Sequence, residues 1–219
     1  MKVRVAAFSL SIDGFGAGRS QSEAEPLGVH GETLHEWLVQ TETFKRLVLG
    51  DARVQHDDGD DDRFARRSFD NVGAWIMGRN MFGPVRGPWL DDRWKGWWGD
   101  NPPYHVPVYV LTHHPRPPQA MAGGTVFHFV TGSIHEALRL ARQVANGKDV
   151  RIGGGVQTVR QYLQAGLIDE MHLAISPQPL GQGESLLQGI DLNAIGFRCT
   201  EQVGTQRALH VVFSRTPTA

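Results

Sequence analysis

The chain has 219 residues, a length that suits a single domain spanning residues 1–219. Its content of 40% hydrophobic and 21% charged residues is ordinary for a folded soluble protein and excludes a disordered chain. The net charge of -1 excludes a global field that would favour nucleic acid or an anionic membrane surface, so neither partner is expected. No apolar run reaches the ~18 residues of a membrane span. The one cysteine, Cys199, excludes an intrachain disulfide and predicts a cytoplasmic setting.

The first half of the chain begins with a strand and ends in a long loop. Apolar periodicity predicts, in order, a buried strand over 3–10, a helix over 32–48, a solvated acidic loop over 57–62, a short helix over 63–70 and a buried strand over 74–78. Residues 83–107 are rich in proline, glycine and tryptophan and form a long loop.

The second half alternates strands and helices more regularly. The predicted elements are strands over 106–111 and 125–130, a helix that starts at the capping box Ser133 to Glu136, a strand over 149–152, a helix over 156–165, and strands over 171–175, 196–203 and 207–214. Helices between strands imply right-handed crossovers. The order therefore predicts an α/β domain with a mixed, mainly parallel central sheet flanked by helices, closed by a C-terminal antiparallel hairpin.

The sharpest chemical signal is Gly153-Gly154-Gly155, at the junction between a predicted strand and a predicted helix. Glycines there let a ligand approach backbone N–H groups, and a helix N-terminus favours an anion. The pattern predicts a phosphate site, although it matches neither the dinucleotide fingerprint nor a Walker A loop. The alternative is a tight turn that needs glycine for a positive φ.

Polar residues follow two further strands. Arg79, within Gly78-Arg79-Asn80, can donate two hydrogen bonds to a phosphate, or it is a surface arginine. Thr112 and His113 end the next strand, where open α/β sheets bind ligands. Adjacent side chains on an extended segment point in opposite directions, so His113 and His114 do not predict a metal site.

Three acidic residues are candidates for catalysis. Asp13, before Gly14, could hold a substrate hydroxyl or relay a proton, or it is a turn aspartate. Glu32 and Glu36 share one face of the predicted helix and are either catalytic acids or solvated.

Two further features have no assigned chemistry. The four tryptophans at positions 89, 94, 97 and 98 form either the core of their loop or the wall of a pocket or dimer contact. Cys199 has no obvious activator and is expected to be a buried small hydrophobe.

Four segments together resemble a known superfamily: Ser11-Ile12-Asp13-Gly14, Met77-Gly78-Arg79-Asn80, Val110-Leu111-Thr112-His113 and Ile152-Gly153-Gly154-Gly155. Their order and spacing resemble the dihydrofolate reductase-like superfamily, and most closely the reductase domain of the bacterial bifunctional riboflavin-biosynthesis deaminase-reductase. The zinc signature of a deaminase is absent, so the resemblance implies the reductase half alone. It also implies the dihydrofolate reductase-like sheet and NADPH-dependent hydride transfer to a C=N or C=O carbon of a small, pyrimidine- or pterin-like substrate. A genuine dihydrofolate reductase and a non-catalytic nucleotide-binding protein are the alternatives.

The resemblance also implies residue roles. Gly78, Arg79 and Asn80 would meet the cofactor phosphates, and Leu111, Thr112 and His113 would lie near the adenosine and its 2'-phosphate. The pyrophosphate would be cradled by Gly153, Gly154, Gly155, Val156 and Gln157. Ala7 and the loop over 13–18, with Gly14, would cover the nicotinamide. Asp13 is the first candidate to contact substrate, followed by Glu36 and Glu32, and a homodimer is plausible.

Overall fold

The structure is a computed structural model that describes residues 1–84, 86–91 and 93–216. Its strands are β1 (Val3–Leu10), β2 (Phe15–Ala17), β3 (Val72–Gly78), β4 (Pro107–Leu111), β5 (Gln119–Ala120), β6 (Val126–Val130), β7 (Asp149–Gly154), β8 (Glu170–Ile175), β9 (Glu184–Ser185), β10 (Phe197–Gly204) and β11 (Leu209–Arg215). Its α-helices are α1 (Glu36–Val39), α2 (Glu42–Leu47), α3 (Asp60–Phe69), α4 (Arg79–Phe82), α5 (Ile134–Val144) and α6 (Val156–Gln164), with 3₁₀ turns at Gly31–His35 and Ala122–Gly124.

One sheet of nine strands, in the order β10-β11-β8-β1-β7-β3-β4-β6-β5, forms the centre of the molecule. The pairs from β8 through β1, β7, β3 and β4 to β6 are all parallel. The hairpin β10–β11 is antiparallel and closes one edge by pairing with β8. This topology confirms the predicted fold class. The small antiparallel sheet of β2 and β9 was not predicted.

Helices cover both faces of the sheet. Met171 and Leu173 of β8 belong to the cluster that contains Tyr162 of α6, whereas Ala174 belongs to the cluster that contains Trp37 of α1. Because successive side chains on a strand point to opposite faces, these clusters lie on opposite sides of the sheet. The predicted cap of α5 is confirmed, since the Ser133 side chain accepts a hydrogen bond from the N–H of Glu136. Among the described residues no helix is long and apolar enough to cross a membrane.

The helix predicted over 32–48 is broken in the structure. Thr41 has an extended backbone (ψ 152°), and its hydroxyl accepts the N–H of Phe44, so that it caps α2 instead of continuing α1. The remaining turn, before α1, is a 3₁₀ helix. Apolar spacing alone does not distinguish one long helix from several short ones that bury the same face.

Two other expectations were wrong. Asp60, Asp61 and Asp62 form the first turn of α3, where the helix dipole favours carboxylates, and the side chains of Asp61 and Asp62 are buried. The predicted solvated loop is therefore limited to the residues before them. Cys199 is exposed on β10, because that strand lies at the edge of the sheet.

Candidate functional site

A cavity of about 1090 Å³ lies at the carboxyl ends of β1, β3, β4 and β7. Parallel strands end at the same edge of a sheet, and that edge is where α/β folds bind ligands. The cavity brings together most of the residues expected to bind a cofactor, namely Ala7, Gly78, Arg79, Asn80, Leu111, Thr112, His113, Gly153, Gly154, Gly155, Val156 and Gln157. Gly14 does not line it.

The three glycines connect β7 directly to α6. Gly154 has a φ of 137°, which L side chains rarely adopt, so the turn itself requires glycine at this position. Gly155 has a φ of −73°, and a Cβ built on it would meet no atom within 4 Å. Neither backbone conformation nor packing therefore requires glycine at 155. Because Gly155 has no side chain, the start of α6 is accessible.

The N-terminus of α6 is open toward a ligand. Its N-cap, Gly155, has no side chain to satisfy the first amides of the helix. The first helical hydrogen bond is donated by Val159 to the carbonyl of Gly155, so the N–H groups that precede Val159 have no helical acceptor. Such amides, together with the helix dipole, favour an anion.

Arg79 supplies a buried cation in the same cavity. It is 8% exposed, and its guanidinium stacks on Trp89 with 3.4 Å from Cζ to the ring centroid. Nη1 donates to Thr112 Oγ1 at 3.2 Å, whereas Nε and Nη2 are buried and have no hydrogen-bond partner. Burial, with smaller contributions from Arg116 and Arg86, lowers the pKa of Arg79. A buried cation with unused donors is unfavourable until an anion pairs with it.

The structure separates the three acidic candidates. Asp13 lies outside the cavity, and its carboxylate accepts the N–H of Leu180 at 3.1 Å and that of Gly181 at 2.6 Å. The Ser11 hydroxyl and these amides hold its pKa below the usual range. Asp13 thus braces two turns against each other. Glu36 is exposed and also lies outside, whereas Glu32 lines the cavity.

Sequence reasoning missed His35, which lines the cavity one turn after Glu32. Residues three apart lie above one another on a 3₁₀ helix, so Glu32 and His35 share a face. Burial lowers the pKa of His35 to about 4, and its Nδ1 is buried with no hydrogen-bond partner. The imidazole is therefore neutral at pH 7.

A series of buried, hydrogen-bonded side chains ends at the backbone N–H of Ala7. Ala7 lines the cavity and has a φ of 52°. The N–H of Ala7 donates to His172 Nδ1 at 3.1 Å, so neutral His172 carries its proton on Nε2. His172 Nε2 lies 3.1 Å from His210 Nδ1, and His210 Nε2 lies 2.8 Å from Asp61 Oδ1. Every donor then meets an acceptor when both imidazoles are neutral and Asp61 is ionised. These positions belong to no local sequence motif, so the sequence could not predict that their side chains form this hydrogen-bonded series.

The tryptophan group divides between the two roles predicted for it. Trp89 Nε1 donates to the carbonyl of His114 at 2.9 Å, and Trp94 Nε1 donates to that of Phe82 at 2.8 Å, so both anchor the long loop. Trp97 and Trp98 line the cavity instead. The loop thus has its own aromatic core and also contributes a wall of the site.

Residues 2–211 match the model of the family described as the RibD C-terminal domain. No curated protein matches the chain. Among solved structures, the chain is similar to a protein ascribed to riboflavin biosynthesis from Shewanella sp. PV-4, with 21% identity over 99% of each chain and a TM-score of 0.59.

Two other solved structures are similar at lower identity. A pyrimidine reductase-like protein from Corynebacterium diphtheriae is 13% identical, with 99% of this chain and 92% of that chain covered and a TM-score of 0.52. RibD from Acinetobacter baumannii is 16% identical with a TM-score of 0.53; the match covers 98% of this chain and 58% of that one. At these identities the structural likeness shows the fold alone.

Proposed function

Because the chain belongs to the RibD C-terminal domain family, we propose that it is an NADPH-dependent reductase of a small ring compound that bears a C=N or C=O group. The observation that carries the proposal is the buried guanidinium of Arg79, whose Nε and Nη2 have no partner, in the same cavity as the open N-terminus of α6. Both features favour a phosphorylated ligand. NADPH, when bound, supplies the hydride.

The residues expected to bind the cofactor that line the cavity have the following roles in this proposal. Arg79 and the amides from Gly153 to Gln157 bind the pyrophosphate, with Gly78 and Asn80 beside it. Leu111, Thr112 and His113 contact the adenosine and its 2'-phosphate, and Ala7 contacts the nicotinamide. Glu32 is the candidate to supply a proton, because Asp13 and Glu36 do not line the cavity.

NADPH is expected to raise the melting temperature of the protein, and NADH is expected to raise it less because it lacks the 2'-phosphate. A ligand at about 100 times its Kd stabilises the folded state by about 2.7 kcal/mol, a shift of roughly 5–10 °C for a chain of this size. Differential scanning fluorimetry with each nucleotide, and with neither, measures the effect. The absence of a shift with both nucleotides would contradict the proposal.

Gly155→Val is expected to weaken NADPH binding by roughly tenfold to 100-fold without unfolding the protein. Gly155 has an ordinary φ and open space around a built Cβ, so a larger side chain fits the apoprotein but covers the start of α6. Gly154 is a poorer test, because its φ of 137° makes any side chain there strain the backbone.

The matched control for this variant is Gly204→Val. Gly204 is exposed at the end of β10, outside the cavity, and a Cβ there would also meet nothing within 4 Å. Isothermal titration with NADPH compares the two variants. Equal affinities, with both proteins folded by circular dichroism, would show that the phosphates do not bind at the start of α6.

A further inference from the structure

The two ends of the cavity differ in polarity. One end contains Arg79, Arg86, Asn80 and Thr112, together with the start of α6. The other is lined mainly by apolar side chains from the segment 38–48 and the long loop, namely Leu38, Val39, Phe44, Val48, Trp97 and Trp98, and it also contains Glu32 and His35. A pocket lined mainly by apolar and aromatic groups binds a ligand of matching chemistry.

The apolar end presents aromatic surface that the protein itself leaves uncovered. The Trp98 side chain is 41% exposed, and its ring lies 6.2 Å from that of Phe44 in a T-shaped arrangement. Large aromatic side chains gain most when their faces are removed from water. Trp98 and Phe44 come from different segments and pack against each other, so a flat ligand placed against this pair would cover the exposed part of Trp98.

This end is continuous with the three glycines through Trp75. A Cβ built on Gly153 would lie 3.0 Å from the Trp75 ring. The Trp75 ring lies 4.9 Å from that of Tyr104, and both rings line the cavity. A ligand at the apolar end therefore lies beside the segment that the proposed function assigns to the cofactor.

The cation that lines this end, Arg151, is already engaged. Its Nη1 donates to the carbonyl of Ser68 at 2.5 Å and its Nη2 to that of Ala6 at 2.7 Å. Its guanidinium stacks on Trp75 with Cζ 4.0 Å from the ring centroid, and burial lowers its pKa to about 9. Among the described lining residues this end contains no lysine, and only Nε of Arg151 is left without a hydrogen-bond partner, so it offers a phosphate no guanidinium that can bind it through two nitrogens.

We propose that the apolar end binds an uncharged, planar aromatic compound, and that this compound, in place of a phosphorylated one, is the substrate. The assignment as substrate rests on the proposed reductase function, whereas the preference for an uncharged ring rests on the cavity alone. Hydride from NADPH then adds to the carbon of the ring's C=N or C=O group and a proton adds to the nitrogen or oxygen, giving the reduced ring and NADP⁺.

Calorimetric titration with three flavin compounds tests the charge preference. Lumichrome is an uncharged tricyclic ring, and riboflavin and FMN differ only by a phosphate. With NADP⁺ saturating, we expect lumichrome and riboflavin to bind and FMN to bind about tenfold more weakly than riboflavin or worse. Equal or tighter binding of FMN, or no binding of any of the three, would overturn the inference.

Trp98→Ala tests the location. We expect it to raise the Kd of lumichrome by about tenfold, with Trp98→Phe restoring most of the affinity. The matched control is Leu90→Ala, since Leu90 is 88% exposed and does not line the cavity. An unchanged Kd in Trp98→Ala, or a change in oligomeric state without a change in Kd, would overturn the inference. In the second case Trp98 would be a contact between copies.

Titration with NADP⁺ alone separates this inference from the proposed function. Protein that binds NADP⁺ but prefers FMN retains the reductase proposal and loses the uncharged substrate. Protein that fails to bind NADP⁺ loses the reductase proposal, and the lumichrome titrations of wild type and Trp98→Ala, made without nucleotide, then decide whether the apolar end binds a ring.

Discussion

Arg79→Met is expected to bind NADPH about 100-fold more weakly, while the variant without ligand melts at the same temperature as wild type or higher. Hydrogen bonds to a charged group contribute about 1.5–3 kcal/mol each, and Nε and Nη2 of Arg79 are two buried donors without a partner. In the absence of an anion these two buried donors destabilise the folded protein, because the loss of their hydration is not compensated. Methionine is unbranched and flexible, so it can still cover part of Trp89 although it is shorter than arginine.

Arg79→Met is informative because it is expected to weaken NADPH binding without lowering the melting temperature of the protein. Isothermal titration gives the affinity for NADPH, and thermal denaturation without nucleotide gives the stability. The control is Arg139→Met, since Arg139 is exposed on α5, pairs with Glu136 and lies outside the cavity. Unchanged affinity in Arg79→Met would place the phosphates elsewhere. A melting temperature well below that of wild type would make Arg79 a structural residue, held by Thr112 and Trp89.

The parts of the fold that the sequence could predict are those with a local cause. The apolar run before Gly78 is buried as β3, and Ser133 caps α5 through a bond that spans three residues. The site's position could be predicted for a related reason. Glycines and polar residues follow several strands, and parallel strands end at one edge, so local patterns at 78–80, 111–113 and 153–157 met in one cavity.

The parts that the sequence could not predict depend on distant partners. Asp13 precedes a glycine and has the pattern of a turn aspartate, but its carboxylate is used by amides 167 and 168 residues away. Asp61 lies in an acidic run that is typical of a solvated loop, yet it accepts hydrogen bonds from Thr205 and His210. Neither partner is visible in the local sequence, because the hairpin β10–β11 brings both to α3.

The buried chain from Ala7 to Asp61 predicts a loss of stability in acid. Burial first, and then the positive charges of the nearby Arg67, Arg151 and Arg63, hold the pKa of His172 well below its usual value. As the pH falls, His172 therefore takes up its proton at a higher pH in the unfolded chain than in the folded protein. The contribution of neutral His172 is fully present above about pH 6.5, the usual pKa, and is lost as the pH falls below it, at up to about 1.4 kcal/mol per pH unit.

His172→Asn is expected to flatten this part of the stability profile, because it removes the titrating ring. Its side-chain oxygen can occupy the position of Nδ1 and still accept the N–H of Ala7. His172→Phe also removes the ring but leaves that N–H unpaired, so at pH 7 it should cost about 1–3 kcal/mol more than the asparagine variant. Urea unfolding at a series of pH values between 7 and 4 measures both effects.

The lowered pKa of His35 should leave a residual acid dependence in both His172 variants, because His35 is also neutral at pH 7 in the folded protein. His135→Asn, at an exposed position on α5, is the control and should retain the profile of wild type. If the slope of His172→Asn between pH 6.5 and 5 equals that of wild type, His172 is not the group that titrates. If the asparagine and phenylalanine variants are equally stable at pH 7, the bond to Ala7 does not hold that residue at the edge of the cavity.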